Sequence, residues 1–355
     1  MTFPYLAPLV TTIALAVSEV FSPLDQHLAL GQHGWSPEMV RMALRQGVEI
    51  PSYERGASNF TELTGVAISS SALQRLTIAA GKKVVEEEAQ EAEAMVRVPK
   101  AEEAVLWRQI PQPDSEVMAV SADGVMIHLI DEGWKEVKVV SISAVETTQP
   151  ASQAADAPRL SKHSYRAGLW EAKTFANHYW AESYRRGLEK ARQIVCINDG
   201  AAWIWAIVFL CFARRIEVLD WWHMLEYLWQ IAGEAMNRTS PEAVAWIESQ
   251  KAALARSQLR SVFHHIRQLY PRHLPLPPAV KQALGYLWHN RLRMDYAAYR
   301  QAGFPIGSGT VESAAKTLVQ QRMKQAGMRW SRNGAQSMLA LRSRLFSDRW
   351  LDLPI

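Results

Sequence analysis

Two short apolar runs in this chain each lead into an aspartate followed by glycine. Val117-Met118-Ala119-Val120 runs on to Asp123-Gly124, and Ile194-Val195-Cys196-Ile197 runs through Asn198 to Asp199-Gly200. Apolar runs this short, closed by turn residues, read as buried strands. A glycine after each aspartate lets the backbone turn away and leaves a carboxylate at the rim of a sheet. Neighbouring parallel strands would set two such ends side by side. Two close carboxylates repel when ionised, and a divalent cation relieves that repulsion.

The surrounding pattern extends the sheet. Met126–Ile130 and Val137–Ile142 are further short apolar runs, and with the first run they make an antiparallel meander. A long amphipathic helix is expected from roughly Leu169 to Arg192, after a polar loop at Gln149–Pro158. The strand before Asp199 follows, then a helix through Trp203–Leu210, then a fifth strand at Arg215–Asp220. The order β-β-β-α-β-α-β predicts an α/β fold with a mixed five-stranded sheet flanked by helices. From Trp221 to Ala302 the pattern is all helix, and Gly303–Gly309 breaks it before a final helix near Thr310.

Upstream, residues 1–100 read as mostly helical. Ser36-Pro37-Glu38 has the form of an N-cap, a first-turn proline and an acidic first turn. Tyr53–Leu63, with Phe60 and Leu63 on one face, precedes the turn Thr64-Gly65-Val66. Ser69 or Ser70 then caps a helix carrying Leu73, Leu76 and Ala80. Helix, glycine turn, helix over about 53–85 is the outline of a DNA-reading unit and equally of a plain helical hairpin. Pro99, Pro111 and Pro113 punctuate a linker, so the expected division is a helical region over 1–110 and a catalytic domain over 111–355.

The 355 residues are 48% hydrophobic and 21% charged, which excludes a disordered or collagen-like chain. Two cysteines, Cys196 and Cys211, exclude a disulfide scaffold. Val10–Val17 is apolar but short and interrupted by Glu19, so neither a membrane span nor a secretory signal is expected. Cytoplasmic residence, close to the nucleoid, is the expectation. Charge is unevenly placed. Glu86–Glu103 carries seven glutamates against Arg97 and Lys100, and Glu312–Trp350 carries eight basic residues against Glu312 and Asp348. The basic end is either a solvated face or a phosphate-contacting one.

A third carboxylate would complete a site for two Mg²⁺ or Mn²⁺ ions, which take hard oxygen ligands. Glu312, opening a helix after Gly307-Ser308-Gly309, is the candidate. The order strand-Asp123, strand-Asp199, helical stretch, helix-Glu312 resembles the RNase H-like DDE transposases. Ser121-Ala122-Asp123-Gly124-Val125, Asn198-Asp199-Gly200-Ala201, Asp220-Trp221-Trp222-His223 and Pro305-Ile306-Gly307-Ser308-Gly309-Thr310-Val311-Glu312-Ser313 are similar to bacterial insertion-sequence transposases of the ISKra type. So is the tail Arg322-Met323-Lys324-Gln325-Ala326-Gly327-Met328-Arg329-Trp330, and the likeness spans about residues 50–350.

The resemblance implies an RNase H-like core with an all-helical insertion at about 224–302. It implies DNA cleavage and strand transfer at the element's terminal inverted repeats, with Asp123, Asp199 and Glu312 catalytic and metal-ligating. It further implies target DNA as a partner and at least a homodimer when two ends are paired. Asp220 and His223 would orient DNA or the site framework; alternatively Asp220 is a helix N-cap and His223 a core histidine. Lys316, one turn past Glu312, could reach a phosphate, and Arg322, Lys324 and Arg329 could track the DNA backbone. Trp330 is expected in the core. The competing functions are an RNase H-like nuclease that does not join strands and a catalytically silent, transposase-derived DNA-binding protein.

Overall fold

A computed structural model of the chain describes residues 34–96, 108–146, 158–270, 273 and 275–355. The Val10–Val17 run, Pro99 with its charged neighbours and most of the Gln149–Pro158 loop lie outside the described residues. Three helices open the structure: α1 (Pro37–Glu49), α2 (Tyr53–Thr64) and α3 (Ser70–Val96). Ser36 caps α1 by accepting from the Met39 amide at 3.4 Å, and Ser69 caps α3 by accepting from the Ala72 amide at 3.1 Å. Gly65 ends α2 with φ of 70°. Phe60 is buried, but Leu63 is 70% exposed, so the inward stripe of α2 runs through Gly56, Ala57 and Phe60.

The sheet comprises β1 (Val117–Leu129), β2 (Gly133–Glu146), β3 (Arg159–Gly168), β4 (Gln193–Asn198) and β5 (Ile216–Leu219). Its order is β3-β2-β1-β4-β5, with β1–β2 and β2–β3 antiparallel and β1–β4 and β4–β5 parallel. Five strands in a mixed sheet match the sequence reading, but two assignments change. The expected first and second strands are one strand, β1, which passes straight through Asp123-Gly124. The left-handed positions of the hairpin lie at Asp131 (φ 62°) and Gly133 (φ 71°) instead. Gly124 stays in the ladder opposite Lys138, and its missing Cβ makes room for the Glu136 carboxylate. Asp123 is therefore mid-strand rather than at a strand end.

The strand that sequence reading missed is β3. Two of its positions, Ser164 and Arg166, are buried but polar, so the apolar alternation is absent. The expected helix from Leu169 to Arg192 is correspondingly shorter: α4 spans Ala172–Arg185, and a 3₁₀ turn at Leu188–Lys190 follows.

Helix α5 (Ala202–Cys211) joins β4 to β5, and the helical stretch after β5 holds α6 (Trp221–Ala235), α7 (Pro241–Ala255), α8 (Leu259–Leu269), α9 (Pro278–His289) and α10 (Tyr296–Gln301). The chain closes with α11 (Gly309–Ala314), a π-helical turn at Ala315–Gln320, α12 (Gln321–Met323) and α13 (Arg332–Phe346). Among the described residues no helix is long and apolar enough to cross a membrane.

Strand periodicity divides the core. Met118, Val120 and Ala122 face α4 and α5. On the opposite face, Val117 and Ala119 pack with α6 and the helical stretch that follows it. Farther along that same face, Val125, Ile127 and Leu129 pack with Val84 of α3, Val311 of α11 and Leu339 of α13. Asp123 stands on this face between the two apolar clusters.

The two charge poles of the sequence meet inside the molecule. Arg344 of α13 reaches Glu88 at 3.3 Å and Glu87 at 3.4 Å on α3, and Arg166 of β3 pairs with Glu182 of α4 at 3.2 Å and with Glu91. Part of the basic C-terminal surplus is thus spent on buried pairs rather than displayed as one face.

Candidate active site

Strand pairing brings the two aspartates together. β1 and β4 run parallel with Val120 opposite Cys196, and that register, carried on three residues, would set Asp199 opposite Asp123. Regular pairing stops before that point. There the Asn198 side chain accepts from the Ala122 amide at 2.8 Å and holds the strands together. Sequence reading passed over Asn198, although its place beside the Asp-Gly turn was a signal. Asp199 enters a tight turn: Gly200 has φ of 86°, and Asp199 Oδ1 accepts from the Ala201 amide at 3.0 Å. Asp123 Oδ1 accepts from the Gly124 amide at 2.7 Å.

Glu312 comes from α11, which packs across β1 and β2 on the Asp123 face. Val311 and Ala314 turn into the core while Glu312 stays exposed, with Ser308 Oγ at 3.4 Å from its Oε1. Asp123 senses the other two carboxylates. Burial pushes the Asp123 carboxyl up to about 6; the Gly124 amide opposes this, and Asp199, Glu312 and Glu136 add to the rise. Among the described residues no three His, Cys, Asp or Glu side chains stand close enough together to hold an ion. The donor set nevertheless suits a hard divalent cation, because all three residues offer carboxylate oxygens.

Asp220 is buried at the end of β5 and both its oxygens are committed. Oδ1 accepts from the His223 amide at 2.7 Å, the N-cap bond of α6, and Oδ2 accepts from the Ser308 amide at 2.5 Å. The N-cap reading of Asp220 therefore holds, and the same carboxylate fixes the loop leading to Glu312. The Trp221 amide donates to Ile306 O at 2.9 Å in the same junction. Ser308, also overlooked in the sequence, connects Asp220 to Glu312. His223 is partly exposed, 3.4 Å from Glu226 and edge-on to Tyr227 at 5.6 Å.

The basic residues separate into two groups. Lys316, Lys324 and Arg329 are exposed, and Lys324 Nζ lies 5.6 Å from the Trp134 ring centre. Arg322 is not available to DNA. It is buried, donates from Nε and Nη2 to Gly47 O at 3.3 and 3.2 Å, and lies against Tyr53 and Trp330. Its position on the inward side of α12 makes it an anchor for the last turn of α1. Trp330 is buried as expected, its indole donating to Met323 O at 3.2 Å.

In comparisons by sequence, no family model matches this chain and no curated protein matches it.

Proposed function

We propose that the chain is a DNA transposase of the RNase H-like DDE class, cleaving DNA at insertion-sequence ends and joining the freed 3′-hydroxyl to target DNA. One observation carries this reading: the buried Asp123 carboxyl, raised to about 6, also feels Asp199 and Glu312, two acids far from it in sequence that lie toward the same sheet face. Folding alone gives no reason to place three acids there.

Asp123 and Asp199 would hold divalent cations between adjacent strands, with Glu312 contributing from α11. When bound, such ions would lower the pKa of a water or a 3′-hydroxyl and steady the departing oxygen. Asp220 and Ser308 hold the loop that presents Glu312. Lys316, Lys324 and Arg329 offer exposed positive charge for DNA phosphates. Paired ends would call for at least two copies of the chain.

A strand-transfer assay with the flanking DNA ends tests the reading. Asp199→Asn is expected to abolish Mg²⁺-dependent cleavage and leave DNA binding near wild type. Cleavage without joining would instead indicate a nuclease. A silent DNA-binding protein is the second reading, in keeping with the described residues, among which no three side chains form a ready ion group. Sequence-specific binding with no Mg²⁺-dependent cleavage would establish it.

A further inference from the structure

The helices after β5 reach the acidic site through Tyr286 of α9. Its hydroxyl donates to the main-chain carbonyl of Asp199. The contact is close enough to exclude any side chain at the next residue: a Cβ on Gly200 would lie 2.7 Å from the Tyr286 hydroxyl and 3.0 Å from Asn290 Nδ2. The Tyr286 ring stacks on Tyr227 of α6 at 3.9 Å and 19°. Asn290 donates to Tyr286 O at 3.1 Å and accepts from Arg293 at 2.9 Å, and Arg293 donates to Glu217 of β5 at 2.6 Å. Tyr286 is thus braced from α6 on one side and from β5 on the other.

Two contacts set the Asp199 carboxylate, one to its backbone carbonyl and one to the carboxylate itself. Tyr286 fixes the peptide after it, and the Ala201 amide engages Oδ1 at 3.0 Å. Gly200 supplies no side chain to limit rotation of that peptide, so removing the tyrosine hydroxyl frees it.

We propose that Tyr286 is a positioning residue for Asp199, through which the docking of the helical insertion sets the direction of the second carboxylate. The proposal rests on the reading of Asp123 and Asp199 as a divalent-cation site. It does not depend on which DNA reaction follows.

The test is Mn²⁺ titration of the full chain, following free Mn²⁺ by electron paramagnetic resonance, beside thermal melts. Tyr286→Phe keeps the ring and deletes the donor. It is expected to weaken Mn²⁺ binding about tenfold, the lower end of the usual cost of losing an outer partner of a metal ligand, with the melting temperature almost unchanged. Gly200→Ala, which drives a methyl against the same hydroxyl, should weaken Mn²⁺ binding in the same direction. Wild-type Mn²⁺ affinity in Tyr286→Phe overturns the proposal, whether or not the melting temperature falls. Wild-type protein that binds Mn²⁺ no better than Asp199→Asn overturns both the proposal and the cation site. Protein that binds Mn²⁺, shows the Tyr286→Phe loss, and fails to cut DNA upholds the positioning role while removing the transposase reading.

Discussion

At the scale of single residues, Asp123 is where folding and chemistry conflict. Its carboxyl titrates near 6 because burial and three neighbouring acids disfavour the charged form. A carboxylic acid raised in the folded state stabilises fully below its unfolded pKa, and that contribution fades as pH rises through the folded value. Between about pH 4 and pH 6 the metal-free protein should therefore lose stability at this site, on the order of 1–2 kcal/mol after allowance for partial exposure. Asp123→Asn should raise the melting temperature in EDTA at pH 7.5 and have little effect at pH 4. Added Mg²⁺ should stabilise wild type but not the variant; equal melting temperatures for the two proteins in EDTA at pH 7.5 would count against the coupling. The sequence made Asp199 and Glu312 legible because one sits at a glycine turn and the other at a helix start; Asp123 was legible from the same Asp-Gly pair, although its glycine stays in the strand. Ser308 and Tyr286 escape sequence reading because their partners Asp220 and Asp199 lie 88 and 87 positions away; Asn198, whose partner Ala122 is 76 positions away, is signalled only by its place beside the Asp-Gly turn.

Among the elements, the segment from α11 to α12 shows how a charge run misleads. Arg322 and Lys324 are two residues apart, yet one faces the core and the other faces water. Arg342, on α13, donates to Leu318 O at 2.6 Å and to Thr317 O and Val48 O. Leu318 and Thr317 belong to the π-helical turn, where the carbonyl pattern departs from the α-helical ladder and leaves groups for a side chain to bind. Burial and Arg322 push the Arg342 guanidinium down to about 10, still charged at neutral pH. Arg322→Ala should cost roughly 2–4 kcal/mol by stranding the Gly47 carbonyl and opening a gap beside Tyr53 and Trp330. The salt dependence of the proposed DNA binding should not change. Lys324→Ala should leave stability within about 0.5 kcal/mol and reduce the salt slope by about one. Thermal melts and binding at several salt concentrations separate the two; a slope change in Arg322→Ala would contradict its anchoring role. The missed strand β3 has the same origin, since buried polar residues carry no apolar period.

Over the whole molecule, the N-terminal helices, the sheet edge and the C-terminal helix are joined by a buried ionic network. Burial alone would raise the Glu182 carboxyl, but Arg185, Arg166 and Arg349 outweigh it and bring the carboxyl down to about 2. A lowered carboxylate stabilises above its unfolded pKa, and this contribution disappears as pH falls from about 4.5 toward 2. Glu182→Gln should destabilise by about 3–5 kcal/mol at pH 7, because three arginines lose a buried partner. The wild-type advantage should vanish near pH 2, as acid melts of both proteins would register; a gap that persists there would contradict the assignment. The sequence by itself carried the α/β class with a mixed sheet, four of its five strands, the helical stretch after it and the acids that punctuate it. These follow from local period and turn chemistry, which each short segment carries by itself. Long-range packing set the rest: Asp123 lies mid-strand in a seam between two apolar clusters, α9 grips the Asp199 turn, and several of the basic residues pair inward. Such outcomes depend on which distant surfaces meet, and a charged side chain reads the same in sequence whether it ends in water or against a buried carbonyl.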